Sequence, residues 1–172
     1  MQKRFRAVAV GGTFDELHKG HKALLMKAFE IGDNVLIGLS SDEFAKKMKK
    51  PHVVAPYEQR LKDLKNFLTE RGWAKRATVV RLDNPYGPIA ANGGVDALVV
   101  SRETEPTAKE INDKRKEKSR PLLQIVVIDM VPSENHAPIS TTRIRCGEID
   151  HEGHILKQKN TILFLSRRKK RY

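Results

Sequence analysis

The chain has one cysteine among 172 residues, Cys146, which excludes a disulfide framework and a cysteine-built metal cluster. A lone thiol of this kind is expected to be packed and inert. No apolar run approaches the ~18 residues of a membrane span. The N-terminus enters an apolar strand pattern with no leader-like region before it. A soluble, cytoplasmic protein is therefore expected. Aromatic residues are only 6% of the chain and do not alternate with basic ones, so no base-stacking platform is visible. Positive charge, by contrast, is abundant, at a net +12. Five of those charges lie together in Arg167-Arg168-Lys169-Lys170-Arg171, a run with the composition of a solvated tail. The helical stretch 109–118 mixes its cations with Glu110, Asp113 and Glu117, as a solvated face does. This balance suits an enzyme of strongly anionic substrates better than a nucleic-acid binder. The length fits one domain with a core that needs no covalent staples.

Apolar runs alternate with amphipathic segments. Strands are expected at Phe5–Val10, Asn34–Ser40, Thr78–Leu82, Asp96–Ser101 and Leu122–Val131. Helices are expected after His18, closed by Gly32-Asp33, then after Ser40 or Ser41, at Tyr57–Arg71 and at Pro106–Lys118. Pro51–Pro56 reads as a flexible link, and Thr161–Leu165 as a short apolar piece before the basic tail. Continuous apolar strands alternating with helices specify an α/β protein: a Rossmann-like, five-stranded parallel sheet with helices on both faces. Right-handed crossovers bring every strand's C-terminal end to one rim, where ligands bind. Gly11–Asp15, Ser40-Ser41, Asp83-Asn84, Ser101-Arg102 and Val131–Ser140 all follow strands and share that rim.

The first of these junctions carries the most chemistry. In FRAVAVGGTFDELHKGH, residues 5–21, a strand ends in Gly11-Gly12 and a helix follows. The glycines admit close backbone approach of a ligand, and the helix start presents free N–H groups. His18 and His21 are three residues apart and share the first helical turn, with the Thr13 hydroxyl in the loop before them. Together they form an anion site suited to phosphate.

GTFDELHKGH resembles the HxGH signature of the nucleotidyltransferase superfamily, and Ile139-Ser140-Thr141-Thr142-Arg143-Ile144-Arg145, about 120 residues further on, resembles its ISSTxxR signature. The resemblance spans residues 5–150. Within that superfamily the chain is most similar to the archaeal type of phosphopantetheine adenylyltransferase, through Ser41–Lys47, Pro56–Arg60 and Leu98–Thr104. The resemblance implies a nucleotidyltransferase domain over 1–150 and a C-terminal extension over 151–172. It also implies transfer of AMP from ATP to 4′-phosphopantetheine, with release of pyrophosphate. The nucleophile is a phosphate oxygen already ionised near pH 7, so alignment and charge stabilisation are needed rather than a general base. His21 would then hold the α-phosphate, His18 the phosphates beside it, and Thr13 the attacking phosphate. Lys46 or Lys47, with Lys47 grouped among the catalytic residues, would neutralise that phosphate. Gly11, Gly12, Phe14, Arg102, Ser140, Thr141, Thr142 and Arg145 would line the nucleotide. Ser41 and Glu103 would face the acceptor. Mg2+ would arrive with ATP, held by phosphates and water, with no protein metal site. A monomer is favoured, with no membrane or specific nucleic-acid partner.

Other readings remain open at this level. The same motifs serve nicotinamide mononucleotide and flavin mononucleotide adenylyltransferases and cytidylyltransferases, and a non-catalytic nucleotide- or RNA-binding module could share the fold. Asp15 reads as a turn or cap residue sooner than a ligand. His151 and His154 imitate a metal pair without a third ligand and read as surface residues. His52 and His136 have no evident partner.

Overall fold

The computed structural model describes residues 4–156. The apolar piece and the basic run foreseen beyond residue 160 lie outside them. Five parallel strands form one sheet: β1 (Phe5–Gly12), β2 (Gly32–Ser40), β3 (Ala77–Leu82), β4 (Ala97–Ser101) and β5 (Gln124–Ile128). Their spatial order is β3-β2-β1-β4-β5. The chain thus builds outward from β1 to β3, then returns to place β4 on the other side of β1. The reversal falls between β1 and β4, where a crevice opens beyond the strand ends.

Burial follows the pleat. On one face Val8 and Val10 of β1, Val35, Ile37 and Leu39 of β2 and Val99 of β4 pack against helices α1 (Lys19–Ile31) and α3 (Tyr57–Glu70). Leu25, Phe29, Leu64 and Phe67 supply the helical side of that core, and Trp73 stacks on Phe29 at 4.4 Å. On the other face Ala9, Leu98 and Val100 meet Ala108 and Ile111 of α4 (Glu105–Glu117). An apolar cavity of about 380 Å³ lies on that side, floored by Ala9, Leu36, Gly38, Val80 and Leu98. Its walls include α4 and the loop at Tyr86–Ile89.

The alternation expected from sequence is the one observed, with local differences. Strand β5 is shorter than Leu122–Val131. The backbone N–H and C=O of Leu123 are both taken by the Asn112 side chain, at 2.8 and 3.0 Å, and so are lost to the ladder. As an edge strand it is also only partly buried, with Val127 exposed. Helix α1 ends at Ile31, and Gly32 already begins β2 in extended backbone, packed so closely that a Cβ there would lie 2.6 Å from Val8 Cγ2. Cys146 is exposed, contrary to the packed thiol expected. Residues 51–56 are anchored at two points, since the Ala55 N–H donates to Asp15 and the His52 side chain is nearly covered. Residues 151–156 lie against the start of α1, where the Lys19 N–H donates to the His151 carbonyl at 2.9 Å. Among the described residues no helix is long and apolar enough to cross a membrane.

Candidate active site

At the C-terminal end of β1 the chain turns sharply. Phe14 and Glu16 both take positive φ, 48° and 49°. The Phe14 ring is buried beneath Gly12 and lies 5.4 Å from the His21 ring, so its side chain floors the site. His18 is the N-cap of α1. Its Nδ1 accepts from the Gly20 N–H at 3.1 Å, while His21 Nδ1 accepts from the His18 N–H at 3.4 Å. The rings stack at 3.8 Å between centroids. A Cβ on Gly20 would sit 3.0 Å from His18 Cε1, which accounts for the glycine of HxGH.

This reciprocal cap settles the tautomers. A nitrogen that accepts carries no hydrogen, so each neutral ring bears its hydrogen on Nε2. Burial keeps the rings neutral. It pushes His18 down to about 4, helped by the charges of His151 and Lys50. It also holds His21 well below the ordinary value, helped by His18 and Lys50. The motif therefore presents two neutral N–H donors rather than a base.

Asp15, read from sequence as a turn residue, is fully buried and joins the two motifs. Arg145 of α5 (Thr141–Arg145) donates to it twice, Nε to Oδ2 at 2.9 Å and Nη2 to Oδ1 at 2.8 Å. Burial alone would raise the Asp15 pKa, but the bonds from Arg145 and from the Ala55 N–H outweigh it and hold it below the ordinary value. Arg145 also meets Glu16 at 3.1 Å, so its charge is largely answered within the protein. Thr141 is buried, and its hydroxyl donates to the Asp15 carbonyl at 2.9 Å. The Ser140 hydroxyl caps α5, which is only five residues long. Of the three hydroxyls in the second motif, that of Thr142 is the one held by a side chain, His52, at 3.2 Å.

Thr13 is buried beside the histidine loop, and its hydroxyl rests only on the Met48 thioether at 3.8 Å. Its carbonyl is fixed by Arg60, a fully buried guanidinium that also donates to the carbonyls of Ser40 and Ala55 and to Asp42. Ser41 caps α2 (Asp42–Lys47) by accepting from the Phe44 N–H at 3.1 Å.

The residues singled out from sequence do not all converge. Gly11, Gly12, Thr13, Phe14, His18, His21, Thr141, Thr142 and Arg145 share the rim. Lys46 and Lys47 are exposed on the last turn of α2. Arg102 is exposed and paired with Asp129 at 2.7 Å. Glu103 is exposed as well, though its charge acts on Lys50. Lys50 is the half-buried lysine at the site. Burial lowers its pKa, Asp15 and Glu103 draw it back up, and its charge is felt at His18 and His21. Sequence reading assigns Lys50 and Arg60 no individual role and His52 no evident partner. Only the KKP break after α2 hinted that the lysine run changes direction there.

The apolar cavity reaches this site directly, since Gly11, Gly12, Ser40 and Met48 also line it. Among the described residues no three His, Cys, Asp or Glu side chains gather as a metal centre.

A family model described as cytidylyltransferase-like matches residues 9–147. The phosphopantetheine adenylyltransferase of Methanothermobacter thermautotrophicus is 47% identical over 158 residues, covering 92% of this chain and 94% of that protein. That of Methanopyrus kandleri is 45% identical, covering 86% and 92%. A solved structure of a protein of unknown function from Archaeoglobus fulgidus is 35% identical with a TM-score of 0.64, covering 72% and 89%.

Proposed function

We infer from its membership of the phosphopantetheine adenylyltransferase family, to which this chain belongs, that it transfers the adenylyl group of ATP to 4′-phosphopantetheine, giving dephospho-CoA and pyrophosphate. A phosphate oxygen of the acceptor attacks the α-phosphorus of ATP, and the bond to the bridging oxygen of pyrophosphate breaks. The Nε2–H groups of His18 and His21 are preorganised donors for the charge that builds on the α-phosphate. Thr13 gives up its weak contact with Met48 and donates to the acceptor's phosphate. Lys50, rather than Lys46 or Lys47, supplies the cation that lets the two anions approach. It is half-buried and its charge reaches both histidines, whereas that of Lys22 acts on His18, and burial strengthens its field. Thr142 donates to the triphosphate. Arg145 acts chiefly through Asp15, which locks the second motif onto the first.

Magnesium fits this donor set as a companion of ATP. The buried carboxylate, Asp15, is occupied by Arg145, so phosphate oxygens and water would hold the ion, which would supply charge neutralisation for the leaving pyrophosphate.

The observation that carries the acceptor assignment is the apolar cavity opening onto Gly11 and Gly12, at the start of the loop that leads to the two imidazoles. A mainly apolar pocket with polar groups at one end suits an acceptor with a long uncharged arm and a terminal phosphate. Nicotinamide mononucleotide and glycerol 3-phosphate have no such arm. Given ATP, magnesium and 4′-phosphopantetheine, the protein should release pyrophosphate, and dephospho-CoA with pyrophosphate should regenerate ATP. Faster turnover with nicotinamide mononucleotide, or with CTP and glycerol 3-phosphate, would overturn the acceptor assignment.

A further inference from the structure

His52 is a histidine with a nearly covered side chain that this chemistry does not use. It lies two residues past Lys50 and three before Ala55, in the loop between α2 and α3, and its side chain is only 8% exposed. Nδ1 is 3.2 Å from Thr142 Oγ1, and Nε2 is 3.6 Å from Asp15 Oδ2. The second distance is too long for a hydrogen bond. Among the described residues, Nε2 is the buried side-chain polar atom with no hydrogen-bond partner. The ring is therefore wedged between the two motifs with one end satisfied and the other waiting.

Four charged groups face it. Asp15 and Glu16, from the loop before α1, favour the cation. Lys50 of its own loop and Arg145 of α5 oppose it, and burial opposes it most, so the ring is held neutral. A neutral imidazole has one hydrogen. The Asp15 carboxylate faces Nε2, so the hydrogen belongs there, and bare Nδ1 takes the hydrogen of the Thr142 hydroxyl. In that state Thr142 offers a ligand only lone pairs, which phosphate oxygens repel. An imidazolium reverses this. Nδ1–H donates to Oγ1, the hydroxyl hydrogen turns outward, and Nε2–H makes a charge-assisted bond to Asp15.

We propose that His52 is a positioning residue that takes up a proton from solvent when the triphosphate binds and thereby redirects the Thr142 hydroxyl hydrogen from His52 Nδ1 to the bound phosphate. The proposal rests on the reading of Thr142 as a triphosphate ligand. Triphosphate brings the negative charge that tips the balance of the four facing groups, so ATP binding and proton binding favour each other. A purely structural bridge would hold its hydrogen bond without exchanging a proton.

The test is calorimetric titration of MgATP at about pH 7 in buffers of different ionisation enthalpy. It gives the protons taken up per ATP by the wild type, His52→Asn and Thr142→Val. Asparagine places an amide N–H near the position of Nδ1, and His18 and His21 are common to all three proteins, so their contribution cancels. The wild type should take up more protons than His52→Asn, and Thr142→Val, which lacks the redirected donor, should bind MgATP more weakly than the wild type. Lowering the pH should strengthen wild-type binding over His52→Asn by up to about tenfold per unit. The ring ¹⁵N resonances of wild-type His52 should change from the Nε2–H tautomer to the doubly protonated form on adding MgATP. That measurement stands even if a variant fails to fold. Equal proton uptake with tight binding, or an unchanged tautomer, would overturn the role of His52 alone. Failure of every protein to bind MgATP would overturn both this role and the adenylyltransferase reading.

Discussion

Replacing Gly20 by alanine separates the stability of the first motif from its chemistry. The residue occupies the second position of α1, where alanine is favoured over glycine by about 1 kcal/mol. Its new Cβ, however, would meet His18 Cε1 at 3.0 Å and Nδ1 at 3.1 Å. The Ile139 carbonyl, 3.9 Å away, does not obstruct it, so the imidazole is what must move. A retreat of a few tenths of an ångström weakens the bond from the Gly20 N–H to Nδ1, which now stands at 3.1 Å. Losing a side-chain N-cap costs about 1 kcal/mol. The two effects cancel, and the melting temperature should move by less than about 3 °C. Turnover should not escape. A donor displaced from the transition state it was preorganised for costs on the order of 10²-fold in rate. Pyrophosphate release read beside a thermal melt makes the test. A variant that keeps turnover within threefold of wild type, with the same melt, would refute the claim that the glycine exists to seat His18.

Acid should destabilise the free protein before it denatures carboxylates generally. His18 has its pKa lowered to about 4 in the folded state against 6.5 unfolded, so the unfolded chain binds that proton first as pH falls. Stability is complete above about pH 6.5 and declines toward pH 4, by about 3 kcal/mol from His18, with His21 acting in the same direction. A urea midpoint equal at the two ends of that range would refute neutral burial of the pair. Arg60→Lys should cost about 3 kcal/mol, because one ammonium cannot serve three carbonyls and Asp42 at once; a denaturation midpoint near wild type would show that those bonds are dispensable. Thr107→Trp, reaching into the apolar cavity from the half-buried side of α4, should raise the KM for phosphopantetheine by about tenfold and leave ATP binding unchanged. An unchanged KM would place the acceptor's arm elsewhere.

Much of the fold was legible because its cues are local. Each strand is a short apolar run and each helix carries its own period, so the alternation and the shared rim followed directly. His18, Gly20 and His21 lie within one turn and could be read as a unit. What escaped depends on distant partners or on unusual backbone. Asp15 looks like a turn residue until Arg145, 130 positions away, closes on it. His52 acquires a meaning only from Thr142, 90 positions away. The lysines from 46 to 50 cannot be ranked by composition. Lys49 takes a φ of +48°, and that turn brings Lys50 inward while Lys46 and Lys47 stay in solvent. The contraction of β5 likewise rests on an asparagine in the preceding helix whose side chain claims backbone groups of Leu123.

The central place of β1 also bears on how the chain emerges from the ribosome. Its first partner, β2, is complete by residue 40, but its second, β4, is not complete until residue 101. At ordinary elongation rates the interval is roughly 3–12 s, longer than local helices and strand pairs need to form. For that time one edge of β1 stands unpaired, an opening for association with other nascent chains. Motif one can fold in that interval, but motif two arrives only with residue 145. A growing chain can therefore assemble its histidine cap early, while the clasp between Asp15 and Arg145 closes among the last events of folding.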